Sequence, residues 1–137
     1  MAAIVFKDVS VTVNAVDLSD HVQSCELNYS LAGVEISAMN SAGTRTYAAG
    51  MNDTTFTVTL FQDFAASETE ATVYALVGTT TTVVVKPTSG TVGATNPSYT
   101  IAGAYLASHT PIAAGAPGEA GLTQLVFQGG TIAKAVI

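Results

Sequence analysis

The sequence predicts a mostly-β chain: an antiparallel β-sandwich or flattened barrel with one flanking α-helix at about 68–77. Three observations lead there. Apolar and polar residues alternate through most of the chain, as in Val9, Val11 and Val13 against Ser10 and Thr12. Turn-rich stretches such as 88–97 and 111–121 separate the alternating runs. Only the stretch after Ala66 carries both a helix start and a helix stop. At 137 residues, 1–137 reads as a single domain, long enough for a real core and too short for two.

The elements follow in order. Val9–Val13 and Val16–Leu18, joined by Asn14-Ala15, read as a hairpin. Asp17–His21 is a turn, because Asp and Ser side chains there fold back onto backbone amides. In the strand Gln23–Ser30, Cys25, Leu27 and Tyr29 face one way and Glu26 and Asn28 the other, which gives Cys25 a buried structural place. The segment at about 31–52 differs: three glycines and only short strand-like pieces make it a long extended hairpin or loop. Thr55–Phe61 is the cleanest strand. Ser67 is placed as an N-cap with Glu70 closing a capping box, Val73, Leu76 and Val77 form an apolar stripe, and Gly78 ends the helix. Thr79–Lys86 is a strand by its β-branched content and stops at Pro87. Tyr99–Leu106, Thr123–Phe127 and Thr131–Ile137 are the last strands. No linker and no solenoid repeat divides this order.

Composition excludes several functions. Charged residues make up 10% of the chain, well below the quarter or so usual in soluble domains, so the surface is dressed in Thr, Ser, Ala and Gly. Such a surface suits a subunit that hides much of itself against copies of itself. Ten carboxylates face four cations, Lys7, Arg45, Lys86 and Lys134, which are scattered. No positive stripe can grip phosphates, whereas an acidic balance suits a surface that DNA passes without sticking. The start of the sequence lacks the pattern of a secretory signal, and no apolar run reaches the length of a membrane span, so a cytoplasmic protein without a membrane partner is expected.

Catalysis needs convergent groups, and none is legible. His21 and His109 are far apart in sequence. Asp17, Asp20 and His21 are near enough to hold a divalent ion, but capping aspartates beside an exposed histidine account for them, and no metal is expected. The Gly-rich patches lack a phosphate-cradling pattern, and there is no nucleophile elbow, zincin motif or cysteine pair. No enzyme activity and no cofactor is expected.

Four segments point further: Asn14–Val22, the loop from Ala38-Met39 to Thr44-Arg45-Thr46, Leu60–Ala66 running into the helix, and Thr95–Tyr99. In collinear order they resemble the small tail tube (major tail) proteins of long-tailed siphophages infecting actinobacteria. The resemblance implies packed β-sheets with one flanking helix, and homo-oligomeric rings, commonly hexameric, that stack into a tube. It also implies other tail proteins as partners, DNA passing through the lumen without specific binding, and a place in the virion tail after assembly in the host cytoplasm. A capsid decoration protein is the alternative, and a generic β-sandwich binding module comes third; the absence of Trp argues against a sugar-stacking site. Ring-to-ring contacts are expected on 31–52. Val34, Ile36, Met39 and Tyr47 are apolar residues that gain nothing in a solvated loop, and Arg45, the chain's sole arginine, offers a planar fork for a carboxylate across an interface.

Overall fold

In the computed structural model, which describes residues 3–39 and 43–136, the alternating runs become strands of one antiparallel sheet. They are β1 (Ser10–Val13), β2 (Val16–Asp17), β3 (Val22–Glu35), β4 (Tyr47–Phe61), β5 (Thr80–Lys86), β6 (Ser98–His109), β7 (Leu122–Gln128) and β8 (Thr131–Ala135). The order is β2-β1-β5-β6-β7-β4-β3, with β8 also on β6. The mostly-β class and the flanking helix are those the sequence predicts. The strands belong to one continuous sheet that is not closed into a barrel.

Alternation explains the core. On β4, Phe56, Val58 and Leu60 are fully buried while Thr55, Thr57 and Thr59 point to the opposite face. Val11 and Val13 of β1, Val83 and Val85 of β5, Ile101 and Leu106 of β6, and Leu125 and Phe127 of β7 join them in one cluster. Phe56 and Phe127 are cross-strand partners with ring centroids 6.1 Å apart. Burying each such side chain contributes about 1.5–3 kcal/mol, so this row is a main source of cohesion. The β1–β2 turn is as tight as expected: Asn14 and Ala15 both have positive φ, 51° and 66°, which matches the twist of the flanking strands.

The helix is shorter than predicted and starts differently. α1 spans Thr69–Val73 and continues as a 3-10 turn over Tyr74–Leu76. Glu68, not Ser67, is the N-cap, no side chain caps the helix, and Ser67 sits at φ 64°. The capping box fails because Glu70 is engaged elsewhere: its N–H donates to the Asp63 carbonyl and its carboxylate meets His109. Tertiary partners outcompete the local cap. Gly78 ends the helical stretch as predicted, at φ 83°, with its N–H donating to the Leu106 carbonyl. Among the described residues no helix is long and apolar enough to cross a membrane.

The 31–52 segment is a long hairpin rather than a loop. β3 pairs with β4 out to Glu35↔Tyr47, a longer ladder than the short pieces the sequence suggests. Residues 40–42 at its tip lie outside the described residues. β7 accompanies β4 only from Thr55 to Phe61, so the rest of the hairpin extends as a two-stranded arm. β7 ends at Gly129-Gly130. There, at φ 71° and 89°, the chain leaves β7 and continues as β8 along β6, away from β4. A groove of about 810 Å³ opens between the N-terminal segment around Phe6, the β3 residues Cys25, Leu27 and Tyr29, and Tyr99 and Ile132.

The two glycines at this fork are not equivalent. A Cβ on Gly130 would lie 2.7 Å from the Ala102 carbonyl oxygen and 3.1 Å from the Ala104 nitrogen, while one on Gly129 meets nothing within 4 Å. Gly129→Ala should therefore cost about 1–2 kcal/mol, the left-handed backbone alone. Gly130→Ala should cost at least about 3 kcal/mol, because rigid backbone must also move. Urea denaturation of both variants checks this, and equal losses would contradict it.

Candidate assembly surfaces

The arm's two faces follow from its register. Facing pairs share a side, so Tyr29, Leu31 and Gly33 continue the core face of β3 outward, joined by Tyr47 opposite Glu35. Val34, with Ala48, lies on the other face. The five residues singled out in the sequence are all exposed: Val34 and Tyr47 lie on opposite faces, and Ile36 and Met39 lie beyond the β3–β4 ladder. Arg45 is 79% exposed and its Nη1 stands 3.7 Å from Glu35 Oε2, an open ion pair that contributes little. Sequence reasoning missed Tyr29, Leu31 and Met51, which also expose apolar surface on this arm. Their alternation is legible, but it looks the same as that of a buried strand until β4 loses its second neighbour.

A second exposed apolar group lies at the opposite end of β4. Phe61, Phe64, Tyr74 and Ile112 are exposed there. Gln62 gathers this end together: its N–H donates to the Gly121 carbonyl and its Nε2 to the Pro111 carbonyl at 2.6 Å. The sequence hinted at it only through Phe61, which breaks the alternation of its strand.

Beside Phe64 sits a charged cluster. His21 Nδ1 is 2.8 Å from Asp20 Oδ1, and its Nε2 is 3.1 Å from Asp63 Oδ2 and 3.3 Å from Glu68 Oε2. Contrary to the sequence expectation of an exposed histidine, the His21 side chain is only 11% exposed. With carboxylates at both ring nitrogens, both must donate, which is the imidazolium form. Burial alone would lower its pKa, but the bond to Asp63 and the charges of Asp20 and Glu68 outweigh it and hold it above 6.5. Asp63 is held below 3.8 by the Ala65 N–H and by His21. Asp17, grouped with these residues in sequence, turns away and caps the Ser19 N–H at 2.9 Å, with its carboxyl likewise lowered by Ser19. The cluster clasps the turn before β3 to the turn after β4.

The other histidine lies in a buried chain. Thr123 Oγ1 is 3.0 Å from His109 Nδ1, and His109 Nε2 is 2.8 Å from Glu70 Oε2. The order Thr–His–Glu has the logic of a nucleophile, base and orienting acid. Yet the His109 side chain is 1% exposed and Thr123 is equally buried, so no substrate reaches the hydroxyl. The chain ties α1 to β6 and β7. Cys25 lines the groove half-buried, and burial pushes its thiol pKa up, away from the reactive thiolate.

The face of β3, β4 and β7 opposite the core is almost free of charge. Ser24, Glu26, Asn28 and Ser30 align with Thr59, Thr57, Thr55 and Asp53, and Gln124, Val126 and Gln128 continue the rows. Glu26 and Asp53 are the charges in these rows, both negative. The cations lie elsewhere: Lys7 before β1, Lys86 ending β5, Lys134 on β8 and Arg45 on the arm.

No family model matches the sequence, and no curated protein matches it. Solved structures do match the fold. A chain of the sheath–tube complex of an extracellular contractile injection system, in its extended state, superimposes with a TM-score of 0.73 at 11% identity, over 98% of this chain and 93% of that one. A chain of the tube-terminating cap of the anti-feeding prophage gives 0.70 at 12% identity, over 100% and 96%. A chain from the tail of an empty gene transfer agent particle, refined with C6 symmetry, gives 0.63 at 14% identity, over 96% and 98%. At these identities the likeness is one of fold.

Two variants test the polar clasps. The folded pKa of His21 lies above that of the unfolded chain, so its stabilisation is complete below about 6.5 and is lost as pH rises through the folded value. Urea midpoints should fall as pH rises from 6.5 into the alkaline range, and His21→Gln should remove that component; an unchanged pH profile in the variant would refute the clasp. Glu70→Ala leaves the buried His109 Nε2 without its partner and should cost about 2–3 kcal/mol, measured the same way at fixed pH.

Proposed function

We propose that this chain is the tube subunit of a phage-like tail, stacking as rings of six into a conduit through which DNA leaves the particle. The observation that carries this reading is a fold likeness that runs over nearly the whole of this chain and of chains from tube-bearing assemblies alike. The number six follows the C6 symmetry of the gene transfer agent tail. Attribution to siphophages of actinobacteria rests on the sequence segments Asn14–Val22, Ala38–Thr46, Leu60–Ala66 and Thr95–Tyr99.

The chemistry of the surface supports it. A tube subunit must bury much of its surface against copies of itself, and this chain exposes Val34, Ile36, Met39, Tyr47 and Met51 on an arm that extends beyond the ladder to β7. We assign Val34, Ile36, Met39, Arg45 and Tyr47 to contacts between successive rings. A conduit for a polyanion must not hold it: fixed cations on the wall would bind phosphates and slow passage. The Thr, Ser, Gln and Asn face of β3, β4 and β7, with Glu26 and Asp53 as its charges, meets that requirement and is the face we place towards the bore. The role is structural and non-catalytic, and it places the protein in the virion tail among other tail proteins.

The test is assembly. Concentrated purified protein, or the particle itself, should show a hollow tube with a ring repeat by electron microscopy. Deleting residues 38–43, and separately changing Arg45→Ala, should leave folded subunits that stop at single rings or monomers. Normal tubes from both variants would remove the arm from the stacking contact, and a protein found on the capsid exterior would favour the decoration alternative.

A further inference from the structure

The two exposed apolar surfaces sit at opposite ends of one strand. Tyr47 begins β4 at the arm and Phe61 ends it beside α1, and at the rise of an extended chain these ends are roughly 45 Å apart. They also differ in charge. The arm turn carries Arg45, paired with the exposed Glu35 at 3.7 Å, a contact weak enough to be exchanged. The α1 end carries Asp20, Asp63 and Glu68 around His21, and neither a lysine nor the arginine lies in that cluster. Three carboxylates against one imidazolium leave this end negative.

We propose that the arm tip of one copy, with Ile36, Met39 and Arg45, docks on the α1 end of a second copy, where Phe64 provides apolar surface and Asp20, Asp63 and Glu68 face the guanidinium. The inference rests on the tube reading and specifies its stacking contact. Charge complementarity selects the occupant. The chain's sole arginine stands at one end, its densest carboxylate cluster at the other, and each lies beside exposed apolar groups that lack an intramolecular cover. Because the two surfaces differ, the contact is heterologous: each copy uses one end on the copy before it and the other on the copy after it, so the contact repeats without closing on itself. An arm-to-arm contact would instead pair like with like, end at two copies and leave Phe64 and its carboxylates bare.

Cysteine pairs distinguish these arrangements. In a full-length Cys25→Ser background, Met39→Cys and Phe64→Cys proteins are made separately, mixed, allowed to assemble and oxidised. A disulfide needs Cα atoms within about 7 Å, so only direct seating allows it. Linked dimers should form in the mixture at about ten times the level seen with either protein alone, a preference equivalent to about 1.4 kcal/mol. Filaments without that mixed link, or with an equal Met39→Cys self-link, overturn the docking while the tube reading stands. Failure to form any higher assembly counts against the tube reading itself, and the docking falls with it. Charge reversal is an independent check in the native cysteine background. Arg45→Glu and Glu68→Arg should each raise the concentration needed for assembly by roughly tenfold, and the double variant should recover most of that loss. Singles that lose assembly with a double that does not recover it, or singles without effect, contradict the proposed pairing.

Discussion

A strand has two hydrogen-bonding edges, and β6 serves three partners with them. β5 takes one edge, while β7 and β8 divide the other, Tyr105–His109 going to β7 and Ser98–Ala102 to β8. β8 keeps the register of β7 along β6, Tyr105↔Gln128 being followed by Ala102↔Thr131, with Gly129 and Gly130 in the left-handed region between them. Once β8 follows β6, β4 has no third strand beyond Thr55, and the β3–β4 hairpin must continue alone. The arm therefore begins where the ladder between β4 and β7 ends.

A two-stranded ribbon with exposed apolar side chains is marginal by itself in water. Here it is held at its root by the ladder to β7, by the Gly129 N–H donating to the Thr54 carbonyl, and by the core side chains Phe56 and Val58. Beyond that root its apolar residues Tyr29, Leu31, Val34, Tyr47 and Met51 leave about half or more of their surface exposed in the isolated subunit. Their burial becomes favourable only when another molecule covers them, which links the shape of the sheet to assembly. The body is tied together by polar groups independent of the arm: the Thr123–His109–Glu70 chain fastens α1, and the His21 carboxylates fasten the turns on either side of the β3–β4 ladder.

Electrostatics separates the surfaces that the low charge content leaves similar. With few ionic groups, position matters more than number. Carboxylates gather at the α1 end, the arginine stands on the arm, and the outer face of β3, β4 and β7 keeps only Glu26 and Asp53.

Much of this was legible in the residues. Alternation in Val9–Val13, Gln23–Ser30 and Thr55–Phe61 dictates strands, because only an extended chain puts every second side chain in the core. Asn14-Ala15 and Gly78 mark their turns because those positions need positive φ. The 31–52 segment was recognisable as an outlier, and Val34, Ile36, Met39, Arg45 and Tyr47 on it are exposed in the single chain. What the residues alone could not decide depends on partners distant in the chain. Ser67 and Glu70 spell a capping box, yet Glu70 is taken by His109, thirty-nine positions away. His21 reads as a surface histidine until Asp63 and Glu68 close over it. The extent of the arm is set by where the β4–β7 ladder ends, not by any residue within the arm. Local pattern specifies which side chains face inward, but which strand stands next to which is a property of the whole sheet, and exposure follows from that.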